Sequence, residues 1–91
     1  MNPLERIVRK ETPFTSRVQG EVVMMSLETN NYYGLGAVGS RIWELLAEPT
    51  DLEALCTQLT QEYEVDVETC RKDVGSFIES LLREQLVERV G

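Results

Sequence analysis

The chain has 91 residues and a formal charge of −7, with 42% hydrophobic and 27% charged residues, no histidine and two cysteines. That length holds one hydrophobic core, and the acidic balance opposes nucleic-acid binding, which relies on Lys and Arg neutralising phosphates. The absence of histidine removes every Ser–His or Cys–His catalytic pair within the chain and the commonest zinc ligand.

Residues 1–13 are mixed and polar, bounded by Pro3 and Pro13. They read as a flexible N-terminal arm in which Ile7 and Val8 lay an extended segment along the body. The domain proper is expected over residues 14–91. Phe14 to Gln19 alternates, with Phe14, Ser16 and Val18 on one side and Thr15, Arg17 and Gln19 on the other, so period two predicts a half-exposed strand. Gly20 supplies a turn. Glu21 to Leu27 carries Val22, Val23, Met24 and Met25 in a row, the mark of a central strand that is apolar on both faces. Glu28-Thr29-Asn30-Asn31 reads as a second turn, because Asn tolerates left-handed backbone. Tyr32-Tyr33-Gly34-Leu35 reads as a short third strand, completing an antiparallel meander.

The period then changes to 3.6. Gly36 opens a first helix with Val38, Ile42, Leu45 and Leu46 on one face and Trp43 beside them, and Pro49 ends it. Thr50-Asp51-Leu52-Glu53 reads as a capping box in which the Thr50 hydroxyl accepts from the Glu53 amide. Leu52, Leu55, Cys56, Leu59 and Tyr63 form the apolar stripe of a second helix. Asp66 caps a long third helix bearing Val67, Cys70, Val74, Phe77, Ile78, Leu81 and Leu82, which ends near Glu84 or Gln85, and Leu86-Val87 closes the core. Strands followed by helices argue an α+β domain. Cys56 and Cys70 are too far apart for a CxxC pair and fall at apolar helical positions, which suits buried reduced thiols. No apolar run approaches a membrane span and no signal-peptide pattern opens the chain, so a cytoplasmic protein is expected, with no metal or cofactor.

The block Tyr32-Tyr33-Gly34-Leu35, followed by Gly39-Ser40-Arg41-Ile42-Trp43-Glu44-Leu45-Leu46, resembles the central stretch of the PqqD-like family. Glu62-Tyr63-Glu64-Val65-Asp66 and the run Val74, Phe77, Leu81-Leu82, Leu86-Val87 are similar to its last two helices, so the likeness spans roughly Phe14 to Val90. It implies a winged-helix-like fold, a three-stranded antiparallel sheet followed by three helices. It also implies a non-catalytic role: capturing the leader of a ribosomally synthesised precursor peptide and presenting it to maturation enzymes. Stand-alone members of this kind resemble the leader-binding protein of lasso-peptide systems, whose partner is a separate cysteine leader peptidase. Without histidine, this chain cannot itself be such a peptidase.

The resemblance further implies that the leader joins the third strand and packs against the third helix. The candidate leader-binding residues are Tyr32, Tyr33, Gly34 and Leu35 on the strand, and Arg71, Lys72, Asp73, Val74, Phe77 and Ile78 on the helix. On the residues alone, the bland readings stand beside these. Phe77 and Ile78 fit the core as well as a groove, Gly34 suits a bend, and Arg71-Lys72-Asp73 suits a solvated face. Gly75 inside a helix costs about 1 kcal/mol against Ala unless close packing or ligand approach requires it. Two alternative functions remain: a chaperone presenting the precursor of pyrroloquinoline quinone to a radical enzyme, and a winged-helix DNA-binding regulator. The second is opposed by Glu68, Asp73, Glu79 and Glu84 on the helix that would have to be basic.

Overall fold

A computed structural model of the chain describes residues 5–10, 14–26 and 30–90. Five strands and three helices follow in the order β1 (Arg6–Arg9), β2 (Phe14–Val18), β3 (Glu21–Ser26), β4 (Asn31–Gly34), α1 (Gly36–Leu45), α2 (Leu52–Glu62), α3 (Val67–Arg83) and β5 (Val87–Val90). The architecture is α+β. The central meander forms an antiparallel sheet in the order β2-β3-β4, and β1 pairs antiparallel with β5 in a separate two-stranded sheet.

Local chemistry explains the meander. Gln19 and Gly20 take φ of 54° and 84°, the two left-handed residues that a tight hairpin needs for its twist to match the strands. Asn30 has φ 60°, consistent with the second turn, though Glu28 and Thr29 lie outside the described residues. β3 lies in the middle, with Val22 and Met24 buried and Val23 and Met25 half-buried. The face bearing Arg17 and Val22 looks toward α1, because Arg17 pairs with Glu44 of that helix.

The helices bury the stripes that their spacing predicts. Ile42, Trp43 and Leu46 join Leu52, Leu55, Cys56 and Leu59 of α2 and Cys70, Val74, Ile78 and Leu81 of α3 in one cluster. Each fully buried aliphatic contributes roughly 1.5–3 kcal/mol, so the cluster is the main counterweight to chain entropy in a domain this small. Asp66 caps α3 by accepting from the Thr69 amide at 2.9 Å. The cap of α2 departs from expectation. Asp51, not Thr50, accepts from a helix amide, that of Ala54 at 2.8 Å. The Thr50 backbone is engaged elsewhere: its N–H donates to Ile7 O at 2.9 Å and its carbonyl accepts from Ile7 N at 2.7 Å.

That bridge belongs to a feature the residue pattern did not disclose. The described part of the expected arm, Arg6–Arg9, is a strand in register with β5, Ile7 facing Arg89 and Arg9 facing Val87. Ile7 is completely buried. Arg9 closes the end of α1: its backbone N–H donates to Leu46 O at 2.9 Å, and its guanidinium donates to Trp43 O at 3.1 Å while lying 5.6 Å from the Trp43 ring centre. A cation over terminal helix carbonyls is favoured by the helix dipole. Leu86-Val87 does close the core, with Val87 as the first residue of β5.

Replacing Ile7 by Ala is expected to lower the unfolding free energy by about 2–4 kcal/mol, the cost of a buried large-to-small change. Urea denaturation measures it, and a loss under about 0.5 kcal/mol, typical of exposed sites, would contradict this packing.

Candidate functional site

The antiparallel ladder determines which backbone groups of β4 are free. Val23 faces Gly34, Met24 faces Tyr33 and Met25 faces Tyr32. Leu35 N donates to Val22 O at 3.0 Å, so the 22–35 pair is of the hydrogen-bonded type. Pair types alternate along such a ladder. Tyr33 therefore turns its N–H and C=O toward β3, while Tyr32 and Gly34 turn theirs away from it. Among the described residues no strand lies on that side of β4. Tyr32 is 76% exposed, and a Cβ added at Gly34 would meet nothing within 4 Å.

The ladder stops at Leu35, which has turned to φ −91°, ψ −16° as the N-cap of α1, followed by Gly36 at φ 71°. Leu35 therefore cannot present its carbonyl to the Val22 N–H. The buried Ser40 hydroxyl takes that place: it accepts from Val22 N at 2.7 Å and donates to Gly36 O. A single side chain thus satisfies the last amide of the sheet and ties the first turn of α1 to it.

Beside this junction lies a groove of about 380 Å³. Leu35, Val38, Gly39 and Ile42 form one wall. Cys70, Asp73, Val74 and Phe77 of α3 form the other. Leu59, Tyr63 and Val65 close the end. Gly39 allows a close approach: a Cβ there would sit 3.2 Å from the Leu35 Cβ and 3.3 Å from the Phe77 ring, tight enough that the side chains around it would have to give by a few tenths of an ångström. Arg41 holds the closed end. It donates to Glu62 at 2.9 and 2.8 Å and to Glu44 at 3.4 Å, joining α1 to the last turn of α2 just before Tyr63. The Arg41 guanidinium, then the Gln58 amide, pull the Glu62 carboxyl down to about 2.

The candidate residues divide accordingly. Leu35, Asp73, Val74 and Phe77 meet in the groove. Tyr32 and Gly34 belong to the adjoining free edge, and the Tyr33 backbone belongs to the ladder. Ile78 is completely buried in the core, and it is a packing residue. Arg71 lies on another face, where it pairs with Glu53 at 2.9 Å beside Cys56 and Thr60. Lys72 is exposed and lines none of the groove. Gly75 is not a close-approach glycine, since a Cβ there would meet only Leu52 at an ordinary 3.9 Å. The residue reading missed Val38, Gly39, Tyr63 and Val65. Gly39 carried a usable signal, because glycine inside a helix is costly unless something packs against it.

The Asp66 and Cys56 groups that the chain offers for chemistry are engaged in structural contacts. The Asp66 carboxylate is occupied as a cap, which holds it below the usual range through the Thr69 amide and hydroxyl. Burial pushes the Cys56 thiol up to about 12, helped by a hydrogen bond with Cys70, so it is not a thiolate nucleophile. Among the described residues no group of three or more His, Cys, Asp or Glu could hold a metal ion. No helix among them is long and apolar enough to cross a membrane.

The family model described as coenzyme PQQ synthesis protein D (PqqD) matches residues 21–87. The solved structure of TbiB1 in complex with the TbiA(beta) leader peptide is similar over 92% of this chain and 98% of that one, with 34% sequence identity and a TM-score of 0.80. No curated protein matches the chain.

Two outcomes test the site's construction. Ser40→Ala leaves the buried Val22 amide without a partner and is expected to cost about 1–3 kcal/mol, read by urea denaturation. Because the folded carboxyl of Glu62 titrates below its ordinary 4.5, its contribution is present above about pH 4.5 and lost as pH falls through about 2. Glu62→Gln should therefore lower the thermal midpoint near neutral pH, with the difference from wild type closing toward about pH 2. A difference that stays constant would refute the role given to the Arg41 clamp.

Proposed function

The chain belongs to the PqqD family, and from that premise we propose that it is a non-catalytic protein that captures the leader of a ribosomally made precursor peptide as an added strand on β4. The observation that carries this is the β4 border, unpaired among the described residues, with the N–H and C=O of Tyr32 and Gly34 directed outward. A disordered guest gains main-chain hydrogen bonds there with little demand on its own sequence.

Register follows from the ladder. A guest residue opposite Tyr33 would form a pair without direct hydrogen bonds, its side chain on the helix-facing side of the sheet; so would the residue opposite Leu35, two positions away. Two apolar guest side chains at i and i+2 therefore reach toward the groove of Leu35, Val74 and Phe77. This gives specificity to a contact whose backbone part is permissive. Ordering the leader consumes about 2–5 kcal/mol of the gross interaction, so both parts are needed.

The likeness to a protein solved with a leader peptide supports a peptide partner. We extend it to a lasso-peptide type of pathway, in the cytoplasm, where a separate cysteine leader peptidase or a cyclase receives the bound precursor. Presentation of a pyrroloquinoline quinone precursor to a radical enzyme is the alternative pathway for the same surface. The described strands and helices are compatible with a winged-helix-like arrangement, but α3 exposes Glu68, Asp73 and Glu79, which disfavours DNA.

Tyr32→Pro deletes one outward N–H at an edge position that tolerates proline, whereas Tyr32→Ala keeps it. With the precursor encoded beside the gene as ligand, calorimetry should show binding about three- to tenfold weaker for Tyr32→Pro than for Tyr32→Ala, the worth of a hydrogen bond. Equal affinities for the two variants would rule out strand addition at this border.

A further inference from the structure

We propose that Asp73 makes the groove selective for peptides with a lysine or arginine close to their apolar anchors. This specificity rests on the leader-binding reading above and deepens it.

Asp73 is the one charged side chain among the residues that line the groove. It stands on α3 one turn before Phe77, beside Val74, so a side chain reaching over the Phe77 ring finds the carboxylate next. Among the described residues no ion pair engages it. The neighbouring Arg71 is drawn away to Glu53 at 2.9 Å, and the other lining groups, Tyr63 and Cys70 included, carry no charge. Asp73 is exposed, so the bare carboxylate costs the free protein little, because water solvates it.

Occupation of the groove changes that balance. Apolar guest side chains against Leu35, Val74 and Phe77 exclude water from the adjoining rim, where charges interact more strongly. A guest carboxylate placed there meets Asp73 unscreened. A guest Lys or Arg instead lays its alkyl stem along the apolar wall and brings its cationic end to the carboxylate. The net charge of −7 acts in the same direction at longer range, favouring approach of cationic peptides.

Selection from a random-peptide phage library on wild type, Asp73→Asn and Asp73→Lys tests the inference. The wild type should enrich an apolar pair at i and i+2 with Lys or Arg at a constant offset. Asp73→Asn should keep the pair and lose the basic preference, and Asp73→Lys should replace it by Asp or Glu. A resynthesised wild-type peptide should bind Asp73→Asn about fivefold more weakly, within the range of a partly exposed ion pair. Its lysine-to-norleucine version should lose the same factor against wild type and nothing further against Asp73→Asn. An apolar pair enriched without a basic column, or a basic column that survives in Asp73→Asn, overturns the role of Asp73 and leaves leader capture standing. If the wild type enriches no peptide whose binding Tyr32→Pro weakens, leader capture itself fails, and this selectivity with it. Should one variant misfold, the norleucine comparison on the other decides the point.

Discussion

The Ser40 hydroxyl stands where a strand carbonyl would otherwise have stood, and the arrangement of the working side of the molecule follows from it. Leu35 has to leave the sheet for α1 to begin, and its departure strands the Val22 amide in the interior. A buried amide without a partner costs about 1–3 kcal/mol, a large fraction of the net stability of a domain this small. By accepting from Val22 and donating to Gly36, Ser40 removes that cost and sets the first turn of α1 against β3. The free border of β4 and the apolar wall of α1 are then adjacent by construction. Under the proposed strand addition, backbone groups and pocket would meet a guest side by side.

The groove illustrates how such a domain keeps apolar surface open without losing its fold. Its residues are shared with the core: Ile42, Leu59, Cys70 and Val74 are buried members of the central cluster, and Phe77 and Leu35 pack against that cluster from outside. The walls are thus anchored from behind. Gly39 lets the Phe77 ring approach α1 closely, so the ring packs against α1 without the small displacement that a Cβ would require. Arg41 with Glu62 and Glu44 closes the far end using exposed ion pairs, which hold a geometry while contributing modestly to stability.

Much of this was legible in the residues, because periodicity reports burial. The three central strands, the three helices and the buried Trp43 follow from alternation and from 3.6-residue stripes. The two-stranded β1–β5 sheet did not, because its pairing joins the two ends of the chain, Arg6 with Val90 and Arg9 with Val87, and no local pattern encodes such a partner. Thr50 misled for a related reason: the cap moved to Asp51 when the Thr50 backbone was claimed by Ile7. Of the candidate site, the strand half and Phe77 were readable from the YYGL block and the α3 stripe. The rotation of α3 was not. It turns Arg71 toward Glu53 and Ile78 into the core, a choice made by packing among residues of similar hydrophobicity. The opposite wall of the groove, Val38 and Gly39, depends on where α1 lands, which Ser40 decides through a contact eighteen residues apart.

The pairing of Arg6 with Val90 brings the first and last strands into one two-stranded ribbon. Entry and exit of the polypeptide are therefore neighbours. A unit with that geometry behaves as a cassette: it can be inserted in a surface loop of a larger enzyme, or circularly permuted through a short tether between its ends, with both seams confined to one locality. The same fold is thereby geometrically suited to stand alone or to be joined to another domain through a single seam.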